Sequence, residues 1–351
     1  MSEVASRKQA HLDLCAHRDV EAGGTTLLED VHLLHEALPE LSAADVDPSI
    51  ELFGRRLGAP LYIAGMTGGT ERAGAINRAL AAAAQKAGFA FGLGSQRAIW
   101  TDPDAAASYR VRDEAPDIAL FGNVGAVQAR EKGPAAVAEL VEAVRADALC
   151  VHLNAAQELA QDEGDRDFRG CVDAIAALVE ALPVPVIVKE TGCGLSPRTL
   201  ARLRAAGVEW VDASGAGGTT WPGVEALRGS LRQRALGGLL REWGIPTAAS
   251  VVYARRAGFS TLASGGIRTA LDVVRALALG ARAAGLALPF LRAFDRGGSK
   301  AVAALAEELT EGVRALLLLT GSARPEQLAA APRVLGPSLR AWLAVADRAE
   351  D

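Results

Sequence analysis

From residue 60 onward, short apolar runs alternate with longer Ala-rich stretches in which apolar positions recur at helical spacing. Alternation of this kind is the pattern of parallel strands joined by crossover helices. The apolar runs centre on eight segments, residues 61–64, 89–92, 118–121, 149–152, 186–189, 210–213, 261–264 and 284–287. Helices are expected between them over 71–87, 134–145, 169–182, 197–206 and 269–279. Pro134 and Pro197 fall in the first turns of two of these, where a missing N–H leaves no helical bond unmade. Eight strands, each followed by a helix, over roughly 260 residues fit a (β/α)8 TIM barrel better than two open sheets. Residues 221–245 break the rhythm with Arg228, Arg232, Arg234, Arg241 and the pair Gly237-Gly238, and read as a long insertion after strand six. Such an insertion is either a functional lid or a disordered segment. Residues 1–351 are taken as a single barrel domain: 1–59 as an N-terminal capping segment, 60–290 as the barrel strands, and 291–351 as C-terminal helices.

Composition narrows the function classes. With 50% hydrophobic and 23% charged residues, the 351-residue chain is globular rather than disordered. The 37 basic residues against 42 acidic ones give a net charge of -5, without the basic excess that nucleic-acid binding needs. Residues 1–18 mix Glu3, Arg7, Lys8, His11 and Asp13 where an export signal would be apolar, and the greasiest window, 316–319, is far too short for a membrane span. Cys15, Cys150, Cys171 and Cys193 share no C-x-x-C spacing, so neither a zinc site nor a redox dithiol is expected, and a cytoplasmic location is.

The chemistry should lie at the C-terminal ends of the barrel strands. Strand one runs into Gly65-Met66-Thr67-Gly68-Gly69, strand two into Gly94-Ser95-Gln96-Arg97, strand three into Gly122-Asn123, and strand seven into Ser264-Gly265-Gly266-Ile267-Arg268. Glycines there let backbone N–H groups approach a phosphate or a flat ring, so four such ends on one rim point to a phosphorylated cofactor. Strand four ends in His152-Leu153-Asn154, with Gln157-Glu158 one helical turn on. Glu158 and the amide oxygens suit a hard divalent cation such as Mg2+, the alternative being a solvated polar loop. Lys189 closes strand five before Glu190, in a chain that uses 32 Arg and only 5 Lys. A compact ammonium fits beside an anionic ring or phosphate where a guanidinium is too wide, and a structural pair with a carboxylate is the other reading. Arg7-Lys8 could fold a flexible segment onto a diphosphate, although a two-residue charge pair is commonly just solvated surface. His11, His17, His32 and His35 lack a strand-end setting and read as surface histidines.

In their order along the chain, these segments resemble the flavin-dependent type 2 isopentenyl-diphosphate Δ-isomerases. The resemblance runs from Arg7 to about Pro289 and also takes in His11 and Gly217-Gly218-Thr219. It implies an FMN-bearing barrel that converts isopentenyl diphosphate to dimethylallyl diphosphate, requires Mg2+ and reduced flavin, uses NADPH only to reduce that flavin, and forms a homo-oligomer, a tetramer or octamer. By the same resemblance, FMN contacts Met66, Thr67, Gly68, Ser95, Asn123, Lys189, Thr219, Gly265, Gly266, Ile267, Leu286 and Ala287. Diphosphate contacts Arg7, Lys8, Ser95, Gln96, Arg97, His152, Asn154 and Gln157, and Glu158 holds the metal. Gln157, His152 and Asn154 are then the catalytic candidates, with Gln157 orienting or relaying a proton on the face of the alkene opposite the flavin. Cys193 and Ala270 depart from the family pattern, which bears on packing near the flavin.

Two other readings share the phosphate site. An FMN barrel doing net redox work would need a His base at a late strand end or a nucleophilic Cys. No histidine lies beyond His152, and only Cys193 is near the rim. A non-catalytic phosphate-binding barrel needs neither.

Overall fold

The computed structural model describes residues 3–347; Met1, Ser2 and 348–351, the outermost parts of the expected capping segment and C-terminal tail, lie outside the described residues. Before the barrel come helix α1 (Glu3–His17), strand β1 (Val31–Leu33) and the hairpin β2 (Ile50–Leu52) and β3 (Arg55–Leu57). The first half of the barrel is β4 (Leu61–Ile63), α2 (Glu71–Ala87), β5 (Ala90–Gly92), β6 (Leu120–Gly125), α3 (Ala126–Val144) and β7 (Ala148–His152). Then follow α4 (Ala155–Ala160), α5 (Cys171–Ala181), β8 (Val186–Lys189), α6 (Pro197–Ala205) and β9 (Trp210–Asp212). After β9 lie α7 (Trp221–Arg228), α8 (Leu231–Leu239), α9 (Thr247–Arg256), β10 (Ser260–Ala263), α10 (Ala270–Ala278) and β11 (Ala283–Leu286). Helix α11 (Leu288–Leu319), strand β12 (Arg333–Leu335) and helix α12 (Pro337–Asp347) complete the described chain.

Strands β4 to β11 close into one parallel barrel, so the expected (β/α)8 architecture is correct. Alternation along each strand divides its side chains between two cores. On β7, Ala148 and Cys150 join the cluster inside the barrel, while Leu149 and Val151 join the one beneath the helices. The same alternation puts Ile187 inside and Val186 and Val188 outside on β8. Each strand therefore aims its last inward residue at the rim, and on β7 and β8 these are His152 and Lys189, aligned with one another across the ladder.

The N-terminal segment both plugs the barrel and reaches over it. Hairpin residues Ile50, Leu52 and Leu57 join the inner cluster, and the Phe53 ring lies 5.5 Å from Phe121 and 4.6 Å from Trp210. Helix α1 lies instead across the opposite rim, and β1 pairs antiparallel with β12.

Two expectations need correction. The insertion at 221–245 is neither a loop nor a disordered segment but contains α7 and α8, whose first turns are capped by Thr220 and by a Ser230–Gln233 capping box. Arg7-Lys8 lies on a helix, not a flexible segment. The helix expected at 134–145 is present as the second segment of α3, starting at Pro134 after non-helical backbone at Gly133, and a further helical segment from Ala126 precedes it. No helix among the described residues is long and apolar enough to cross a membrane.

Candidate active site

One deep cavity opens at the C-terminal rim, with about 210 Å3 accessible to the centre of a water molecule. Met66 and Thr67 from the β4 exit, Ser95 and Arg97 after β5, and Asn123 on β6 line one side. His152, Asn154, Gln157, Glu158 and Lys189 form the next. Thr219, Gly265, Gly266 and Ala287 close the circle, and Arg7 and Lys8 come down from α1. The structure thus gathers most of the predicted residues around a single space.

Four predicted residues sit behind its wall. Gln96 is fully buried, donates to Leu140 O at 3.0 Å and accepts from Asn123 N at 2.8 Å, so its side chain braces β6 and is turned away from the expected phosphate site. Leu286 and Ile267 direct their side chains into the outer core, leaving only backbone for a ligand; the positions that face the cavity here are Gly285 on β11 and Ala287 just after it. A side chain at Gly68 would overlap the Tyr109 ring, so this glycine makes room for protein and not for a cofactor.

The sequence reading also left out part of the site. His11, read as a surface residue, lines the cavity and contacts Glu225 Oε1 at 2.8 Å, with its ring 5.2 Å from Trp221. Leu12, Cys15, Leu288 and Leu291 add an apolar wall. Residues 7, 8, 11, 12 and 15 form one stripe of α1, a helical spacing present in the sequence but masked by its mixture of charged and apolar side chains. Arg268 also lines the space, held by Glu21 Oε1 at 2.6 Å.

The electrostatics favour a polyanion. Arg7, Lys8, Arg97, Lys189 and Arg268 line the cavity against the single carboxylate of Glu158. Arg7, only 8% exposed, donates to Gln161 Oε1 at 2.9 Å and approaches Glu163 at 3.4 Å, contrary to a solvated surface pair. Burial, then the neighbouring Arg7 charge, bring the Lys8 ammonium down to about 7. Burial, then Lys189 and Lys8, bring His152 down to about 3. Asn123 Nδ2 donates to Leu93 O at 2.8 Å, which orients its Oδ1 towards His152 Nδ1, 2.8 Å away. This network assigns a neutral imidazole with the proton on Nδ1 and a bare Nε2.

Glu158 accepts from Asn154 Nδ2 at 2.8 Å and Asp165 N at 2.9 Å; burial raises its carboxyl despite both bonds. Among the described residues no three His, Cys, Asp or Glu side chains group as metal ligands. Lys189 donates to the backbone oxygen of Glu190 at 2.6 Å rather than to a carboxylate. The Glu190 carboxylate instead accepts from the amides of Thr191, Gly192 and Cys193, and burial pushes it up to about 7 against those bonds and the Lys189 charge. Burial also pushes the Cys193 thiol up to about 12, which leaves it un-ionised and a poor nucleophile at neutral pH.

The same wall fits a phosphorylated flavin. Thr67 Oγ1 and Ser95 Oγ are buried polar atoms without a hydrogen-bond partner, and both line the cavity. Such groups are costly unless a ligand satisfies them. Gly265 and Gly266, at φ 93° and 72°, pack directly on the backbone of Gly215 and Gly217, which only glycine permits.

Residues 104–334 match the FMN-dependent dehydrogenase family. A curated isopentenyl-diphosphate delta-isomerase of Halobacterium salinarum is 47% identical over 349 residues, 97% of this chain and 96% of that protein. The protein of the same name from Methanopyrus kandleri is 43% identical over 345 residues, 97% of this chain and 94% of that protein. Among solved structures, mandelate oxidase with (S)-2-phenylpropionate superposes with a TM-score of 0.66, covering 95% of this chain and 98% of that one at 20% identity, a likeness of fold alone.

Proposed function

The chain belongs to the isopentenyl-diphosphate delta-isomerase family, and from that premise we propose that it converts isopentenyl diphosphate to dimethylallyl diphosphate with reduced FMN and Mg2+, NADPH serving only as reductant of the flavin. The observation that carries this reading is the pairing of a cationic wall with an apolar one, Leu12, Leu288 and Leu291, in one cavity. A small branched alkene on a diphosphate has the same two halves.

FMN would be held by Met66, Thr67, Ser95, Asn123, Lys189, Thr219, Gly265, Gly266 and Ala287, with Gly68, Ile267 and Leu286 supporting that wall from behind. Bound in its reduced form, it would supply an electron-rich ring and an acid/base nitrogen beside the alkene. The hydroxyls of Thr67 and Ser95 would gain their missing partners, and Lys189 would place its ammonium beside the anionic ring.

The diphosphate would lie against Arg7, Lys8, Ser95, Arg97, His152, Asn154 and Gln157, with Gln96 acting through Asn123. Entry of that polyanion favours the ammonium form of Lys8 and protonation of His152 at Nε2, turning an acceptor into a charged donor. Glu158 would supply one oxygen to Mg2+, the remaining ligands being phosphate oxygens and water, consistent with how Mg2+ is commonly held. Gln157 accepts from Asn154 Nδ2 at 3.3 Å, which leaves its own Nε2 hydrogens to orient the alkene or a proton-carrying water. The apolar wall excludes water from the tertiary carbon as positive charge develops there.

Exposed Leu231, Leu239 and Trp243 on the insertion support a homo-oligomer, which the family resemblance makes a tetramer or octamer, and four free thiols suit a reducing cytoplasm. The test is anaerobic turnover by the reconstituted chain, with flavin or Mg2+ omitted in turn. Dimethylallyl diphosphate should form only in the complete mixture; equal product without flavin would overturn the reading.

A further inference from the structure

Tyr109 closes the 3-10 turn Pro103–Tyr109 and is fully buried, reaching the cavity only through other groups. Its hydroxyl donates to Ser95 O at 2.6 Å and accepts from Lys8 Nζ at 2.7 Å. Lys8 Nζ also donates to Ser95 O at 3.0 Å. The three groups form a closed triangle that ties α1, the loop after β5 and the 3-10 turn together at one point of the wall. Two neighbouring glycines accommodate it: a side chain at Gly68 would occupy the Tyr109 ring, and one at Gly69 would stand 3.2 Å from Lys8 Nζ. The β4 exit is in turn held to the Tyr109 segment, Gly69 N donating to Ser108 Oγ at 2.6 Å and Asn77 Nδ2 to Thr67 O at 3.2 Å and Ser108 O at 2.9 Å.

A lysine ends in a compact charge on a flexible four-carbon stem, so a fixed ammonium needs acceptors of fixed position. Ser95 O is one, and Tyr109 Oη is the other. We propose that Tyr109 is a positioning residue for the diphosphate site, holding the Lys8 ammonium at the cavity wall and so coupling the docking of α1 over the rim to recognition of the substrate's anionic end. The inference rests on the proposed function and deepens it, since neither the sequence pattern nor the cavity lining marks Tyr109.

The test uses the full FMN-loaded chain and two ligands, isopentenyl diphosphate for kinetics and inorganic pyrophosphate for calorimetry. Tyr109→Phe should raise KM by about tenfold or more, the size of one hydrogen bond to a charged group, while kcat falls by less than about threefold. Pyrophosphate affinity should fall by the same factor, with the absorbance spectrum of bound flavin unchanged. In a Lys8→Ala background the second substitution should change pyrophosphate affinity by less than about twofold, because the two groups act as a unit. Rates are referred to flavin-loaded sites and calorimetry reports affinity independently of the active fraction, so partial loss of folded protein leaves both readouts intact. Unchanged pyrophosphate affinity in Tyr109→Phe, or full additivity with Lys8→Ala, would overturn the proposal. Wild-type protein that binds no pyrophosphate would overturn the diphosphate reading and, with it, this role for Tyr109.

Discussion

The two halves of the rim present different surfaces to a ligand. Around α1, β5, β7 and α4, the wall is made of side chains, among them Lys8, Arg97, His152, Asn154 and Glu158. Around the exits of β9 and β10 it is made largely of backbone, with Gly265 and Gly266 stacked on Gly215 and Gly217 and one ionisable lining residue, Arg268, tied to Glu21. The first half works through charges whose protonation burial has moved, whereas the second works through shape. One should respond to pH and tolerate small steric change; the other should do the reverse.

The largest expected effect is on the backbone half. Gly266→Ala places a methyl against Thr26 and the Gly217 backbone at a φ of 72°, a conformation costing about 1–3 kcal/mol for a residue with a Cβ, before the overlap is counted. The variant should lose bound FMN on desalting, seen as loss of flavin absorbance; a fully flavinated variant would break the comparison. Next comes Gln157→Asn on the side-chain half, which should lower kcat by roughly a hundredfold, the scale of a misplaced proton-transfer group, with FMN affinity unchanged. Unchanged turnover would remove Gln157 from the chemistry.

A smaller effect separates the halves by titration. The free-enzyme Lys8 ammonium loses its proton as pH rises through about 7, so kcat/KM should fall by up to about tenfold per pH unit above that point, while FMN affinity stays flat. Glu190 ionises in the same range, but its carboxylate serves the 191–193 amides. Lys8→Met should therefore abolish the alkaline limb, and a limb that persists assigns it elsewhere. The smallest effect is expected for Cys193→Ser, with isomerisation within about twofold of wild type, since the thiol stays protonated. A large loss there would favour a redox enzyme with a cysteine acid or nucleophile.

The barrel was legible because strands buried on both faces read as apolar runs, and Val186–Lys189 appears with the expected bounds. The pattern failed where function interrupts it. Strand β6 continues through Gly122, Asn123 and Val124 to Gly125, but its glycine-bearing end, with Asn123 turned to the cavity, resembles a loop. Helix α1 was hidden for a related reason: its buried stripe carries Arg7, Lys8 and His11, which line the cavity or bind Glu225 instead of filling a core. Side-chain direction was out of reach altogether. Ser95, Gln96 and Arg97 are adjacent, yet the 3-10 turn Gln96–Trp100 sends Gln96 into the wall and leaves its two neighbours on the cavity. Gly68 looked like part of a phosphate cradle because the partner that needs the space, Tyr109, comes from 41 positions further along.

The central claim is that the two halves together hold a flavin for proton transfer without net oxidation of substrate. Its most direct test is the ratio of NADPH consumed to dimethylallyl diphosphate formed under anaerobic conditions, with FMN, Mg2+ and excess isopentenyl diphosphate. Many product molecules for each NADPH, with consumption ending once the flavin is reduced, is the predicted result. One NADPH for every molecule of substrate transformed would contradict the account and return the barrel to the redox enzymes whose fold it shares.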